Sequence, residues 1–145
     1  MKTYLDTSAL LKWYIVGQES ERFTDWMTKQ DDTHISQLTI TEFRCMLSKR
    51  ERTRDLVGVS AQQIFSTFEH DIEQGFLILH EVNNEEVTAA HQMIERLANM
   101  PLRTLDAMHL AIAERIQAEA IASADKVMLN STEFLGMKAI SFVPA

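Results

Sequence analysis

Four acids stand where the chain passes from an apolar run into a segment of helix formers. Asp6 lies in YLDTSALL, between Tyr4 and Leu5 on one side and Ala9, Leu10 and Leu11 on the other, and the hydroxyls Thr7 and Ser8 follow it directly. Burying a carboxylate there without a partner would be costly. Glu42 falls in the first turn of the helix read from ITEFRCMLSKR, Asp106 opens a helix after LRTL, and Asp125 stands between AIAS and a helix beginning at Lys126. Each has a local explanation: Glu42 can complete a capping box with Thr39, Asp106 can complement a helix dipole, and Asp125 can be an N-cap. Position argues for more, because helix starts that follow parallel strands lie at the carboxyl edge of the sheet, where open α/β folds bind ligands. Four carboxylates converging there would repel, by about 4 kcal/mol per pair at about 4 Å and an effective dielectric near 20. A cation between them removes the conflict. Oxygen donors without His or Cys partners suit Mg²⁺ or Mn²⁺.

The elements that would position these acids follow from periodicity. KTYL, HIS, FLIL, AIAS and AISFV are short strand-like runs, and helical patterns separate them. TSALLKWYIV carries hydroxyl caps ahead of helix formers. ESERFTDWMTK repeats Phe23, Trp26 and Met27 at helical spacing, and ITEFRCMLSKR repeats Ile40, Phe43 and Leu47. SAQQIFSTFEHDIEQG aligns Ile64, Phe65, Phe68 and Ile72 and stops at Gly75. Asn84 can cap a helix in which Val87, Ala90, Ile94 and Leu97 recur, and Met100-Pro101 ends it. LDAMHLAIAERI and DKVMLNSTEFLG supply two more helices. This alternation predicts an α/β protein, a helix-rich three-layer α/β/α sandwich around a mainly parallel sheet, with residues 1–145 forming one domain.

Composition narrows the setting. The 145 residues suffice for one core, and the single cysteine, Cys45, permits no intramolecular disulfide. With no secretion-like start and no long apolar segment, a cytoplasmic protein without a membrane role is expected. The net charge of −7 argues against a generally basic nucleic-acid coat. A local basic stretch, RCMLSKRERTR, holds Arg44, Lys49, Arg50, Arg52 and Arg54; it is either a solvated helix end complementing the dipole or a contact for RNA phosphates. His34, His70, His80, His91 and His109 show no zinc spacing, so no zinc site is expected, and His109 reads as structural or as a support for the acids. Cys45 reads as a packing residue.

YLDTSALLK, SQLTITEF, LRTLDAMHLAIA and IASADKVM, in this order along the whole chain, resemble the four motifs of PIN-domain nucleases, and among these the VapC-type ribonuclease toxins. By that resemblance Asp6, Glu42, Asp106 and Asp125 take the family's acidic positions, with Asp6 and Asp106 as direct ligands of Mg²⁺ or Mn²⁺. Ser8 takes the hydroxyl position after the first acid, and Ser123 stands where many relatives carry threonine. Glu133 is the alternative to Asp125. The resemblance implies a metal-dependent endoribonuclease in which activated water attacks a backbone phosphate in line and leaves a 5′ phosphate. It also implies a homodimer silenced by a cognate antitoxin, with the apolar helices around Trp26, Met27, Phe65, Phe68 and Ile72 as interface material. The alternatives are a PIN nuclease of RNA processing or decay, and a silent, partner-binding PIN domain. A haloacid-type phosphatase would want an acid where Ser8 stands, and a receiver-like module would want paired acids before its phosphorylated aspartate.

Overall fold

The computed structural model describes residues 1–145. Five strands, Thr3–Leu5 (β1), Thr33–Ser36 (β2), Ile78–His80 (β3), Ala120–Ser123 (β4) and Lys138–Ser141 (β5), form one parallel sheet in the order β3-β2-β1-β4-β5. The chain first builds outward from β1 through β2 to β3, then crosses back to lay β4 against the other side of β1. Thr3, Tyr4 and Leu5 register with Ala120, Ile121 and Ala122. The point where the strand order reverses therefore lies between β1 and β4, and it is there that such sheets open a crevice at their carboxyl edge.

Alternation along β1 assigns the layers, since neighbouring side chains in a strand point to opposite faces. Leu5, with Ile35 and Ala122, packs against the helices Thr7–Tyr14 (α1), Ser20–Met27 (α2), Gln37–Arg52 (α3) and Ala61–Glu73 (α4). Tyr4 and Ile121 pack against Asn84–Arg96 (α5), Thr104–Arg115 (α6) and Lys126–Phe134 (α7). The expected three-layer sandwich is present, and its sheet is wholly parallel. No helix is long and apolar enough to cross a membrane.

Several local expectations are corrected. Helix α3 starts three residues earlier than ITEF suggests: Ser36 is its N-cap and donates its N–H to Thr39 Oγ1 at 3.2 Å, so Thr39 is the third residue of the helix and Glu42 lies in the second turn with no capping duty. Asn83, not Asn84, caps α5; its Oδ1 accepts from Glu85 N at 3.2 Å, and Glu86 returns the bond to Asn83 N at 3.0 Å. Glu86 is buried against Arg115 of α6, and this pairing turns the inner stripe of α5 to Glu86, Ala90, Met93 and Leu97. Val87 and Ile94, expected in the core, are 54% and 41% exposed. Cys45 faces solvent rather than packing. Of the large apolar residues of α2 and α4, Phe23 and Phe68 are fully buried, whereas Trp26, Met27, Phe65 and Ile72 pack against the same core and stay partly exposed. Phe23 meets Phe142 at 4.9 Å between ring centres and Phe68 meets Phe43 at 4.6 Å, contacts from distant parts of the chain that anchor α2 and α4 to the sheet.

Candidate active site

Asp6 occupies the N-cap position of α1 but caps nothing; its carboxylate takes no helix N–H. Its backbone N–H is fixed instead on Ala122 O of β4 at 3.0 Å, which holds the residue over the β1–β4 crevice. Two hydroxyls meet there on one carboxylate oxygen: Ser8 Oγ and Ser123 Oγ donate to Asp6 Oδ2 at 2.8 and 2.7 Å. Both are oriented from behind, because Ala124 N donates to Ser8 Oγ at 3.0 Å and Asp125 N to Ser123 Oγ at 2.9 Å. The Asp6 side of the site is thus rigid. With Asp6 only 7% exposed, burial raises its pKa above the ordinary carboxylate range; Glu42 adds to the rise, and His109, Ser123 and Ser8 oppose it.

Glu42 reaches the same edge from α3. Its Oε1 accepts from Thr7 Oγ1 at 2.7 Å and from His109 Nε2 of α6. Burial raises the Glu42 pKa, but bonding to His109 and Thr7 outweighs it and holds the group below its usual value. Burial equally disfavours a charge on His109. The Tyr4 hydroxyl, Glu42 and Asp6 override it and push His109 up to about 10. The imidazolium then donates from both nitrogens, to Glu42 and, at 2.6 Å, to the Tyr4 oxygen, which shares a further hydrogen bond with Ser36 Oγ at 2.9 Å. This buried relay joins the ends of β1 and β2 to α6 and fixes Glu42 by a charge-assisted bond. His109 therefore supports an acid, as its spacing three residues after Asp106 suggested.

Asp106 is the third residue of α6, and its Oδ2 accepts from Arg103 N at 3.2 Å. Asp125 is the N-cap of α7, with Oδ1 accepting from Val127 N at 2.8 Å and Met128 N at 3.2 Å. The local capping roles are therefore real for Asp106 and Asp125, and they coexist with placement at the edge. Glu133 sits at the far end of α7, about 12 Å along the axis from Asp125 at about 1.5 Å per residue, and is not brought to the site.

One regularity spans all four acids. Each is anchored through a single oxygen. Oδ1 of Asp6, Oε2 of Glu42 and Oδ1 of Asp106 receive no donor from the protein, and Oδ2 of Asp125 meets only the Arg103 guanidinium, Nη2 at 3.5 Å. Unsatisfied carboxylate oxygens from three different helix starts and a helix face are the donor chemistry of a hard divalent cation. No three of them close on a common point, however. Arg103 stands where two of them would meet, with Nε 3.4 Å from Asp106 Oδ2.

Of the basic stretch, Arg50 comes nearest the site by way of Ser8: with Ser8 and Lys12 it lines a cavity of about 270 Å³ formed mainly by α1 and its connection to α2, which none of the four acids borders. Arg44 donates to Ser48 Oγ at 2.7 Å and lies over the Phe65 ring, Lys49 and Arg52 are exposed on the last turns of α3, and Arg54 lies beyond its end. Lys12 was not singled out in the sequence, although its position six residues after Asp6 places it on the α1 face beside the cavity. Burial lowers its pKa; Glu19 opposes this, and Arg22 and Arg50 add to it. Thr7 and Arg103 were also missed. Each adjoins an acid in the sequence, at one and three residues' distance, which is the signal that was available.

An open parallel α/β sandwich with a carboxylate site at its switch point defines the class of protein. The PIN domain family's model matches residues 3–134, and the chain belongs to that family. Its fold is that of solved VapC-type structures. VapC20 from Mycobacterium tuberculosis, described as a sarcin–ricin loop cleaving toxin, superposes with a TM-score of 0.70 at 13% identity, covering 88% of this chain and 92% of its own. FitAcB from Neisseria gonorrhoeae gives 0.68 at 13% identity with 97% of both chains covered, and DNA-bound VapBC from Salmonella typhimurium gives 0.66 at 17% with 98% of both. No curated protein sequence matches the chain.

Proposed function

We propose that this protein is a metal-dependent endoribonuclease acting as the cytoplasmic toxin of a toxin–antitoxin pair. The observation that carries the reading is the set of four edge carboxylates, each pinned through one oxygen and offering the other. Asp6 and Asp106 would hold the ion directly, Glu42 and Asp125 directly or through water, and Mg²⁺ or Mn²⁺ is the expected occupant. When bound, such an ion supplies Lewis-acid activation of water and neutralises charge at the phosphate. The protein's own part is positional. Ser8 and Ser123 fix the Asp6 rotamer, Thr7 and His109 fix Glu42, and the backbone N–H groups at the start of α7 fix Asp125. Preorganisation of this kind saves reorganisation when charge develops at the reacting phosphate.

The cavity beside Ser8 supports a path for single-stranded RNA, with Lys12 and Arg50 as phosphate contacts one step from the acids. Lys49, Arg52, Arg54 and Arg44 then belong to the solvated outer face. The shared fold with VapC20, FitAcB and VapBC supports a cognate antitoxin as partner and a homodimer as the working state. The test is incubation of the purified, antitoxin-free chain with transfer, ribosomal and messenger RNA, with and without Mg²⁺, beside D6N. Discrete fragments are expected only from the unsubstituted chain with Mg²⁺. Arrest of growth on expression, relieved by the product of an adjacent gene, is the expected mark of a toxin; harmless expression would assign the nuclease to RNA processing or decay.

A further inference from the structure

We infer that Arg103 is a phosphate-positioning residue of the RNA site, parked on Asp106 and Asp125 until a divalent ion displaces it. This rests on the metal-dependent reading above. The base of the side chain is fixed, since Arg103 is the N-cap residue of α6, its N–H bonds Asp106 Oδ2 at 3.2 Å, and Pro101 precedes it by two residues. Its head is loose. The side chain is 77% exposed, and the guanidinium touches Asp106 at 3.4 Å and Asp125 at 3.5 Å, long for charge-assisted bonds. No other Lys or Arg pairs with any of the four acids.

Exposed pairs of this geometry hold weakly. A doubly charged ion taken up by the free oxygens of the same carboxylates competes for their charge and repels the guanidinium. Arg103 then turns outward on its fixed base, to the rim that a polyanionic backbone must approach. A planar fork of N–H donors suits a phosphate there as well as it suits a carboxylate. The one side chain thus serves two anions in turn: it neutralises part of the cluster in the ion-free state and receives the RNA backbone in the loaded one.

The experiment titrates Mn²⁺ into the EDTA-stripped full chain without RNA, reading free Mn²⁺ by electron paramagnetic resonance, for the unsubstituted protein, R103Q and R103K. R103Q is expected to bind Mn²⁺ about two- to fivefold more tightly, the range a lost exposed ion pair supplies, while R103K stays near the unsubstituted value. At saturating Mn²⁺ both variants are expected to raise KM for a single-stranded RNA oligonucleotide more than they lower kcat. If the unsubstituted chain binds Mn²⁺ and R103Q binds it no more tightly, or if KM is unchanged in R103Q, Arg103 does not exchange between the two anions. If the unsubstituted chain binds no Mn²⁺, the metal reading falls and this inference with it.

Discussion

At the residue scale, the site is a set of four acids held at the sheet edge by hydroxyls, backbone N–H groups, His109 and Arg103. Asp6 is the most costly: burial and Glu42 disfavour its charge, and the nearby His109 and the hydrogen bonds from Ser123 and Ser8 offset this only in part. D6N keeps both hydroxyl contacts possible and removes the charge. It is expected to abolish cleavage and, without divalent ions, to melt about 3 °C or more above the unsubstituted protein, checked by thermal unfolding in EDTA. Equal or lower melting would mean that Asp6 carries no unrelieved charge. His109 behaves in the opposite way. Its replacement in H109A leaves Glu42 and the Tyr4 hydroxyl without their buried partner, a loss expected to cost about 2–3 kcal/mol in denaturant unfolding together with most of the activity. Ser8 and Ser123 share one acceptor, so S8A and S123A are expected to be less than additive when combined.

At the scale of elements, the edge strands offer a test away from the acids. His34 Nδ1 and His80 Nε2 lie 2.8 Å apart across β2 and β3, and His34 Nε2 contacts Asp32 at 2.5 Å. Burial lowers the His80 pKa, and His34, Arg115 and Lys2 add to the shift, so the fold favours neutral His80. The unfolded chain then takes up the proton first as pH falls through about 6.5, and stability declines from there downward. His109, held protonated, contributes with the opposite sign in the same window and is common to both chains, so the urea midpoint of the unsubstituted chain is expected to fall relative to that of H80Q between about pH 7.5 and about pH 5.5. The strands, the seven helices and the edge placement of Asp6, Glu42, Asp106 and Asp125 were legible because they follow from short-range period and from capping residues. What was not legible depends on partners far along the chain. The inner face of α5 is set by Arg115 against Glu86, the aromatic residues of α2 and α4 are absorbed by Phe142 and Phe43, and Arg103 meets Asp125 only once α6 and α7 are assembled. The start of α3 was misplaced because Ser36, Thr39 and Thr41 all offer a capping hydroxyl, and only the pairing of β2 with β1 decides among them.

At the scale of the whole molecule, the proposed action on RNA requires, at a net charge of −7, a local cationic path. The double variant K12Q/R50Q is expected to lower the slope of log affinity against log salt by about 1.4, at about 0.7 per contact on a single strand, whereas K49Q/R52Q/R54Q leaves it unchanged. Filter binding of a non-cleavable oligonucleotide across a salt series measures both. Mg²⁺ or Mn²⁺ is expected to raise the melting temperature by mass action, and D106N to remove most of that rise. For the proposed homodimer, light scattering at tens of micromolar is expected to give twice the chain mass, and a monomer would remove the dimer from the proposal. The chemistry of the RNA ends tests the central claim most directly, because water activated at a metal site and attack by the RNA's own 2′ hydroxyl leave different products. Fragments made by the purified chain with Mg²⁺ are expected to carry a 5′ phosphate and a 3′ hydroxyl, and to vanish with EDTA and in D6N. Fragments ending in a 2′,3′-cyclic phosphate, or cleavage that persists in EDTA, would contradict a metal-dependent carboxylate site.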